Sequence, residues 1–152
     1  MKKLLVTGGA GFIGSNFVKY ILDKYDDYKI VNLDLLTYAG NLENLKDIED
    51  NQNYRFVKGD IVDRDLIDKL FQEENFDYVI NFAAESHVDR SIEDPSIFIR
   101  TNIMGTQVLL DMSKKYWTIG KDDIGYPIYR EGVKYLQIST DEVYGALGKT
   151  GM

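Results

Sequence analysis

The sequence predicts an α/β fold: a doubly wound parallel sheet with helices on both faces. Three observations predict it. Strand-like and helix-like segments alternate along the whole chain. The strand segments, such as Leu4-Leu5-Val6-Thr7 and Tyr78-Val79-Ile80-Asn81-Phe82, are apolar on both faces, as a sheet covered on both sides requires. A glycine-rich turn, Gly8-Gly9-Ala10-Gly11-Phe12-Ile13-Gly14, joins the first strand segment to the first helix segment.

Residues 4–7 read as a buried strand. From Phe12 the period changes, and Ile13, Phe17, Val18, Ile21 and Leu22 fall on one helical stripe. Residues 29–34 form the second strand, and Leu42, Leu45 and Ile48 mark a short helix. Residues 54–57 form the third strand, which ends at Gly59-Asp60. Asp63 caps a helix carrying Leu66, Ile67, Leu70 and Phe71. Residues 78–82 give the fourth strand. Asp94 caps and Pro95 opens a longer helix, with the stripe Phe98, Thr101, Gly105, Val108 and Met112. Residues 118–132 contain Gly120, Gly125, Pro127 and Gly132 and read as a surface excursion. Residues 133–139 give the fifth strand.

A chain of 152 residues suits one domain with a real core. The net charge of -7, with no basic run, argues against nucleic acid or an anionic membrane as partner. With no cysteine, disulfides, thiolate chemistry and zinc–thiolate sites are excluded, no metal site is predicted, and a reducing cytoplasm fits. The apolar run after Lys2-Lys3 ends at Thr7, too short for an export signal or a membrane span.

Gly8, Gly11 and Gly14 have the spacing G-x-x-G-x-x-G. Glycines there permit a tight turn, close approach of a phosphate and packing of helix on strand. The helix amino terminus offers free N–H groups and partial positive charge to a pyrophosphate. Asp34 lies 20 residues after Gly14, where a carboxylate accepts from ribose hydroxyls and repels a ribose phosphate. The expectation is a Rossmann-like domain that binds NAD rather than NADP. Asp60-Ile61 reads equally as an adenine contact or a helix-capping turn. Ala83 and Ala84 are small enough for a cofactor to approach, and tight packing would select them too. His87, the single histidine, receives no catalytic role. Thr140-Asp141-Glu142, at the end of the last strand, reads locally as a polar strand exit or as a hydroxyl, an acid and a base offered together. Adjacent strand residues point to opposite faces, so the chain must leave strand geometry near Asp141 for both carboxyls to act on one substrate.

Four segments carry a family resemblance: the glycine turn, Asp34-Leu35-Leu36-Thr37-Tyr38-Ala39-Gly40-Asn41, Ala83-Ala84-Glu85-Ser86-His87-Val88-Asp89-Arg90-Ser91 and Ser139-Thr140-Asp141-Glu142-Val143-Tyr144-Gly145. In them the chain resembles the dTDP-glucose 4,6-dehydratases, lyases of the extended short-chain dehydrogenase/reductase group. The resemblance spans nearly the whole chain. It implies an NAD that takes hydride from carbon 4 of the sugar and returns it at carbon 6 after water has left. It implies Asp141 as the acid, Glu142 as the base at carbon 5, and Thr140 near the carbon 4 oxygen, with Ser86 also facing substrate. Gly8, Gly11, Phe12, Ile13, Gly14, Asp34, Leu35, Leu36, Thr37, Asp60, Ile61, Phe82, Ala83, Ala84, Glu85 and Thr101 would line the cofactor. Neighbouring carboxyls suit the task, because like charges close together help one stay protonated while the other ionises. A dTDP-glucose substrate and a homodimer are implied as well.

The sequence departs from that family in one respect. The family pattern continues into a Tyr-x-x-x-Lys pair, whose tyrosine deprotonates the carbon 4 hydroxyl. Tyr20 and Lys24 have the offset but fall on the first helix. Residues 1–152 are therefore expected to form a truncated NAD-binding domain, its sheet incomplete at the carboxy-terminal side and its substrate-binding region absent. The expectation is little or no dehydration by this chain alone. A nucleotide-sugar epimerase of the same family and a non-enzymatic NAD-binding fragment are the alternatives.

Overall fold

The computed structural model of the chain describes residues 1–140 together with Val143, Gly145 and Gly148. The first half alternates strand and helix as its apolar pattern requires: β1 (Lys2–Thr7), α1 (Phe12–Lys24), β2 (Tyr28–Asp34), a 3-10 helix (Leu42–Ile48), β3 (Tyr54–Lys58), α2 (Arg64–Glu74) and β4 (Tyr78–Asn81). The second half comprises α3 (Val88–Glu93), α4 (Pro95–Phe98), a π-helical segment (Ile99–Gly105), α5 (Thr106–Trp117), β5 (Thr118–Lys121), β6 (Pro127–Tyr129) and β7 (Lys134–Gln137). Five strands form one parallel sheet in the order β3-β2-β1-β4-β7. The order runs outward from β1 in both directions, so the chain reverses its winding beside β1. A ligand crevice opens at the carboxyl ends of the strands at such a reversal.

Strand alternation divides the core in two. Leu5, Val31, Leu33 and Val79 face α2 and α5, where Ile67, Leu70, Phe71, Leu109, Met112 and Trp117 close over them. Leu4, Val6, Ile30 and Ile80 face the other way, against Val18 and Ile21 of α1 and against Leu45. Local chemistry sets the helix ends. Asp63 accepts from Leu66 N at 3.0 Å, the cap its sequence position predicts. Asn75 closes α2 in the left-handed region, at φ 50°.

Four sequence expectations change in detail. The predicted long helix after Asp94 is a helical run from Pro95 to Trp117 interrupted by the π segment. A Cβ on Gly105 would lie 2.4 Å from Ile61 Cδ1, so this run packs against residue 61 with no room to spare. Leu109 is fully buried in the core, and Val108 packs against the same cluster half-buried. A short helix, α3, forms where the sequence suggested none. The excursion at residues 118–132 lies at the surface but contains the antiparallel pair β5–β6, whose Asp122 accepts from Ile124 N and Tyr126 N. Ile13 leaves the predicted apolar stripe of α1 and is exposed.

Glu74 braces the opposite end of the sheet. It is buried, and Lys3, Lys29 and Arg55 reach its carboxylate at 3.4, 3.1 and 3.3 Å. Burial pushes its carboxyl up, but Lys29 and Lys3 together outweigh burial and hold it below the ordinary glutamate range. A depressed carboxylate stabilises the fold above its unfolded-state pKa and loses that contribution as pH falls through the native value. Glu74→Gln should therefore cost about 1–3 kcal/mol near neutral pH and flatten the acid limb of the stability profile. Urea unfolding of both proteins from neutral pH down to about pH 3 measures it; equal slopes below about pH 4.5 would contradict the brace.

Candidate functional site

The carboxyl ends of β1, β2, β4 and β7 border a cleft of about 370 Å³. The glycine turn forms one wall, and its glycines serve for different reasons. Gly8 has φ +70°, and a Cβ there would lie 2.5 Å from Ala83 N, so β1 can meet the loop after β4 only without a side chain. A Cβ on Gly14 would lie 2.4 Å from Gly8 O, which lets α1 start tight against the turn. Gly11 is different: its nearest neighbour would be Gly8 O at 3.4 Å, so its open side faces the cleft. Gly11 is also the N-cap of α1 and gives no side-chain cap, leaving the first-turn N–H groups beside Phe12 and Ile13 for an anion.

Asp34 ends β2 and is buried. Its Oδ2 accepts from Ala10 N at 2.9 Å and its Oδ1 from Leu36 N at 2.8 Å. The carboxylate thus ties the glycine turn to the next loop, and each oxygen keeps a second lone pair for a ligand in the cleft it lines. Leu35 and Thr37 line the same cleft. Leu36 does not; at φ 58° it turns its side chain onto the core beside α1. Asp60 takes part in the turn before α2, which Asp63 caps, and also borders the cleft. Its Oδ1 accepts from Val62 N, its Oδ2 pairs with Arg100 at 2.6 Å, and Asp60 and Ile61 line the cleft.

Phe82, Ala83, Ala84, Glu85 and Thr101 form the opposite wall. Asn102, which the sequence did not single out, holds this wall. Its Oδ1 accepts from Glu85 N and its Nδ2 donates to Glu85 O, both at 2.8 Å. The residue sits in the π segment, a distortion that often accompanies functional sites. Ser86 and Thr140 lie where this cleft meets a second one of about 450 Å³, which adds Phe98, Thr106 and Gln137 to its lining. Asp141 and Glu142 lie outside the described residues. Tyr38, Ala39, Gly40, Gly59 and Ser139 also line the first cleft, though no motif marked them as ligand residues.

Beneath the cleft Asn81 is buried among Thr7, Gln137 and Thr106. Burial pushes the nearby Tyr135 hydroxyl up to about 12, so it remains a donor to Gln137 Oε1. Tyr20 and Lys24 bond each other on the outer face of α1 and do not line the cleft. Among the described residues no group of three or more His, Cys, Asp or Glu could hold a metal ion, and no helix is long and apolar enough to cross a membrane.

Comparison with known proteins places the chain among similar ones. Residues 5–152 match the family model described as GDP-mannose 4,6 dehydratase. A dTDP-glucose 4,6-dehydratase of Xanthomonas campestris pv. campestris (strain B100) is 52% identical over 151 residues, 99% of this chain and 41% of that protein. A crystal structure of dTDP-glucose 4,6-dehydratase from Bacillus anthracis str. Ames in complex with NAD matches with a TM-score of 0.79 at 48% identity, over 99% of this chain and 41% of that one. UDP-glucose 4-epimerase from Bifidobacterium longum in complex with NAD+ and UDP matches with a TM-score of 0.75 at 29% identity, over 95% and 38% of the two chains. The chain therefore spans about two-fifths of the length of the curated relatives it matches. From its sequence match and its fold, the chain belongs to the GDP-mannose 4,6-dehydratase family.

Proposed function

We propose that residues 1–152 are the NAD-binding portion of a nucleotide-sugar 4,6-dehydratase, a lyase acting on dTDP-glucose. One observation carries the reading. A single cleft runs from the glycine turn and Asp34 to Ser86 and Thr140. The residues fit the cofactor: side chains at Gly8 and Gly14 would collide with backbone, the open side of Gly11 and the first turn of α1 suit a pyrophosphate, and Asp34 suits a ribose diol. A carboxylate at that point disfavours the extra phosphate of NADP.

When bound, NAD supplies reversible hydride acceptance, which acidifies the proton on carbon 5 of the sugar. Thr140 donates a hydrogen bond to the oxygen on carbon 4, and Ser86 faces the sugar from the opposite wall. Glu142 takes the carbon 5 proton, while Asp141 gives a proton to the hydroxyl leaving carbon 6, which departs as water. The roles of Asp141 and Glu142 rest on the sequence motif. The paired carboxyls support dehydration over epimerisation, since epimerising carbon 4 expels no water. The absence of cysteine supports a cytoplasmic enzyme. The exposed apolar residues Ile92, Ile99, Ile103 and Leu110 support self-association as a homodimer.

Calorimetric titration tests the cofactor reading. The chain should bind NAD more tightly than NADP. Asp34→Asn removes the charge and sets an NH2 group against one of the two backbone N–H groups that the carboxylate accepts from, and should weaken NAD about tenfold or more while narrowing the preference over NADP. Equal affinity for both dinucleotides in the unaltered chain, or no uptake of NAD, would refute it.

A further inference from the structure

Two loops flank the mouth of the cleft. Residues 35–41 come after β2, and residues 82–87 come after β4 and lead into α3. Each is tied at its base. On one side Asp34 holds Leu36 N, and Asn41 N donates to Ala10 O at 3.1 Å. On the other, Asn102 holds both backbone groups of Glu85.

Beyond these anchors Tyr38 of the first loop meets Arg90 of α3 and His87 of the second loop. The Arg90 guanidinium carbon lies 4.5 Å from the centre of the Tyr38 ring, and Arg90 Nη1 lies 3.6 Å from Glu85 Oε2. His87 stands edge-on to the same ring, 6.5 Å between centroids. Glu85 is 6% exposed, and among the described residues its Oε2 has no hydrogen-bond partner and is compensated by the charge of Arg90. Tyr38 and Glu85 line the cleft, whereas Arg90 stands outside its lining.

We propose that Tyr38, Arg90 and Glu85 form a strap across the cleft mouth that slows release of NAD, with Arg90 as the positioning residue that joins one loop to the other. The inference rests on the NAD reading above. A guanidinium suits the task because its plane stacks on an aromatic face while its edge pairs with a carboxylate. An ammonium in its place keeps the charge and loses that combination. Contacts that must break before a ligand leaves act mainly on the dissociation rate.

Two measurements on the full chain test the strap. In the ligand-free protein, Arg90→Gln should speed amide hydrogen exchange in the loop before α3 and also at Gly40 and Asn41 in the opposite loop. Exchange there as slow as in the unaltered chain overturns the strap, with no reference to any cofactor. In stopped flow, with NADH fluorescence as the probe, Arg90→Gln and Arg90→Lys should each release the dinucleotide about threefold to tenfold faster. Tyr38→Leu should do the same, and adding Arg90→Gln to it should change little, since both break one link. Unchanged release, or effects that multiply, overturns the strap while leaving NAD binding intact. Failure of the unaltered chain to take up NADH counts against the cofactor reading, and the exchange result still decides whether the loops are joined. Thermal melts matching the unaltered chain exclude a folding defect.

Discussion

Gly8→Ala should remove measurable NAD binding, a loss of about a hundredfold or more, and lower stability by about 2–4 kcal/mol. Two penalties add at this residue. Its φ of +70° is a left-handed conformation, which costs an L-residue about 1–2 kcal/mol. The new Cβ would lie 2.5 Å from Ala83 N and 2.8 Å from Phe82 C, and both are backbone atoms with no free end to swing aside. The end of β1 or the loop after β4 must therefore move, and that loop carries the cleft wall. Gly11→Ala is the informative partner. Gly11 has φ -74°, which any residue adopts, and a Cβ there meets nothing nearer than 3.4 Å. Its fold should hold to within about 1 kcal/mol, yet NAD should weaken if the pyrophosphate approaches that open side. Urea unfolding separates the stability term and calorimetry the binding term. Full NAD affinity in Gly8→Ala would remove the glycine turn from the proposed site.

The parts of this fold that the sequence displayed are those set by local chemistry and by period. Asp63 capping α2, the strand run ending at Asp34 and the glycine turn opening α1 need only neighbours along the chain. Periodicity places apolar residues without saying what they face. Ile13 fits the stripe of α1, yet at the first turn of the helix that side is the cleft mouth rather than the core. The π segment was hidden for a related reason. Gly105, its last residue, packs against Ile61, which is distant in sequence. Asn102 is the clearest case. Nothing beside it marks it, and its partners are the backbone groups of Glu85, which carry no sequence signature at all. Tyr38 and Arg90 belong to family-like segments, but their stacking depends on a loop and a helix brought together by the reversal of the sheet beside β1.

Asn81→Leu should cost about 2–4 kcal/mol and disturb the position of Thr140. Asn81 is buried between three elements. Thr7 Oγ1 of β1 donates to its Oδ1 at 2.5 Å, and its Nδ2 donates to Gln137 Oε1 of β7 at 2.9 Å, with Thr106 Oγ1 of α5 at 3.5 Å. Gln137 in turn accepts from Tyr135 and donates to Ile138 O, directly before Ser139 and Thr140. β7 is an edge strand among the described residues, and Leu136 on it is exposed, so apolar burial does little to hold its end. Leucine keeps the branched outline of asparagine but strips Thr7 and Gln137 of a partner. The measure of the network is a double-mutant cycle. Asn81→Leu with Gln137→Leu should cost less than the sum of the single changes, because removing both partners leaves fewer polar atoms stranded. Asn81→Asp adds a test of sign. It keeps the acceptor for Thr7 but turns a second acceptor toward Gln137 Oε1, and burial with that repulsion raises its native pKa above the unfolded value. The charged form then carries the penalty, so the variant should recover stability relative to the unaltered chain as pH falls, and lose it as pH rises through the native pKa. Urea unfolding across that range would show a deficit that shrinks on acidification; a deficit independent of pH would mean that position 81 is not the hub joining β1, β4 and β7.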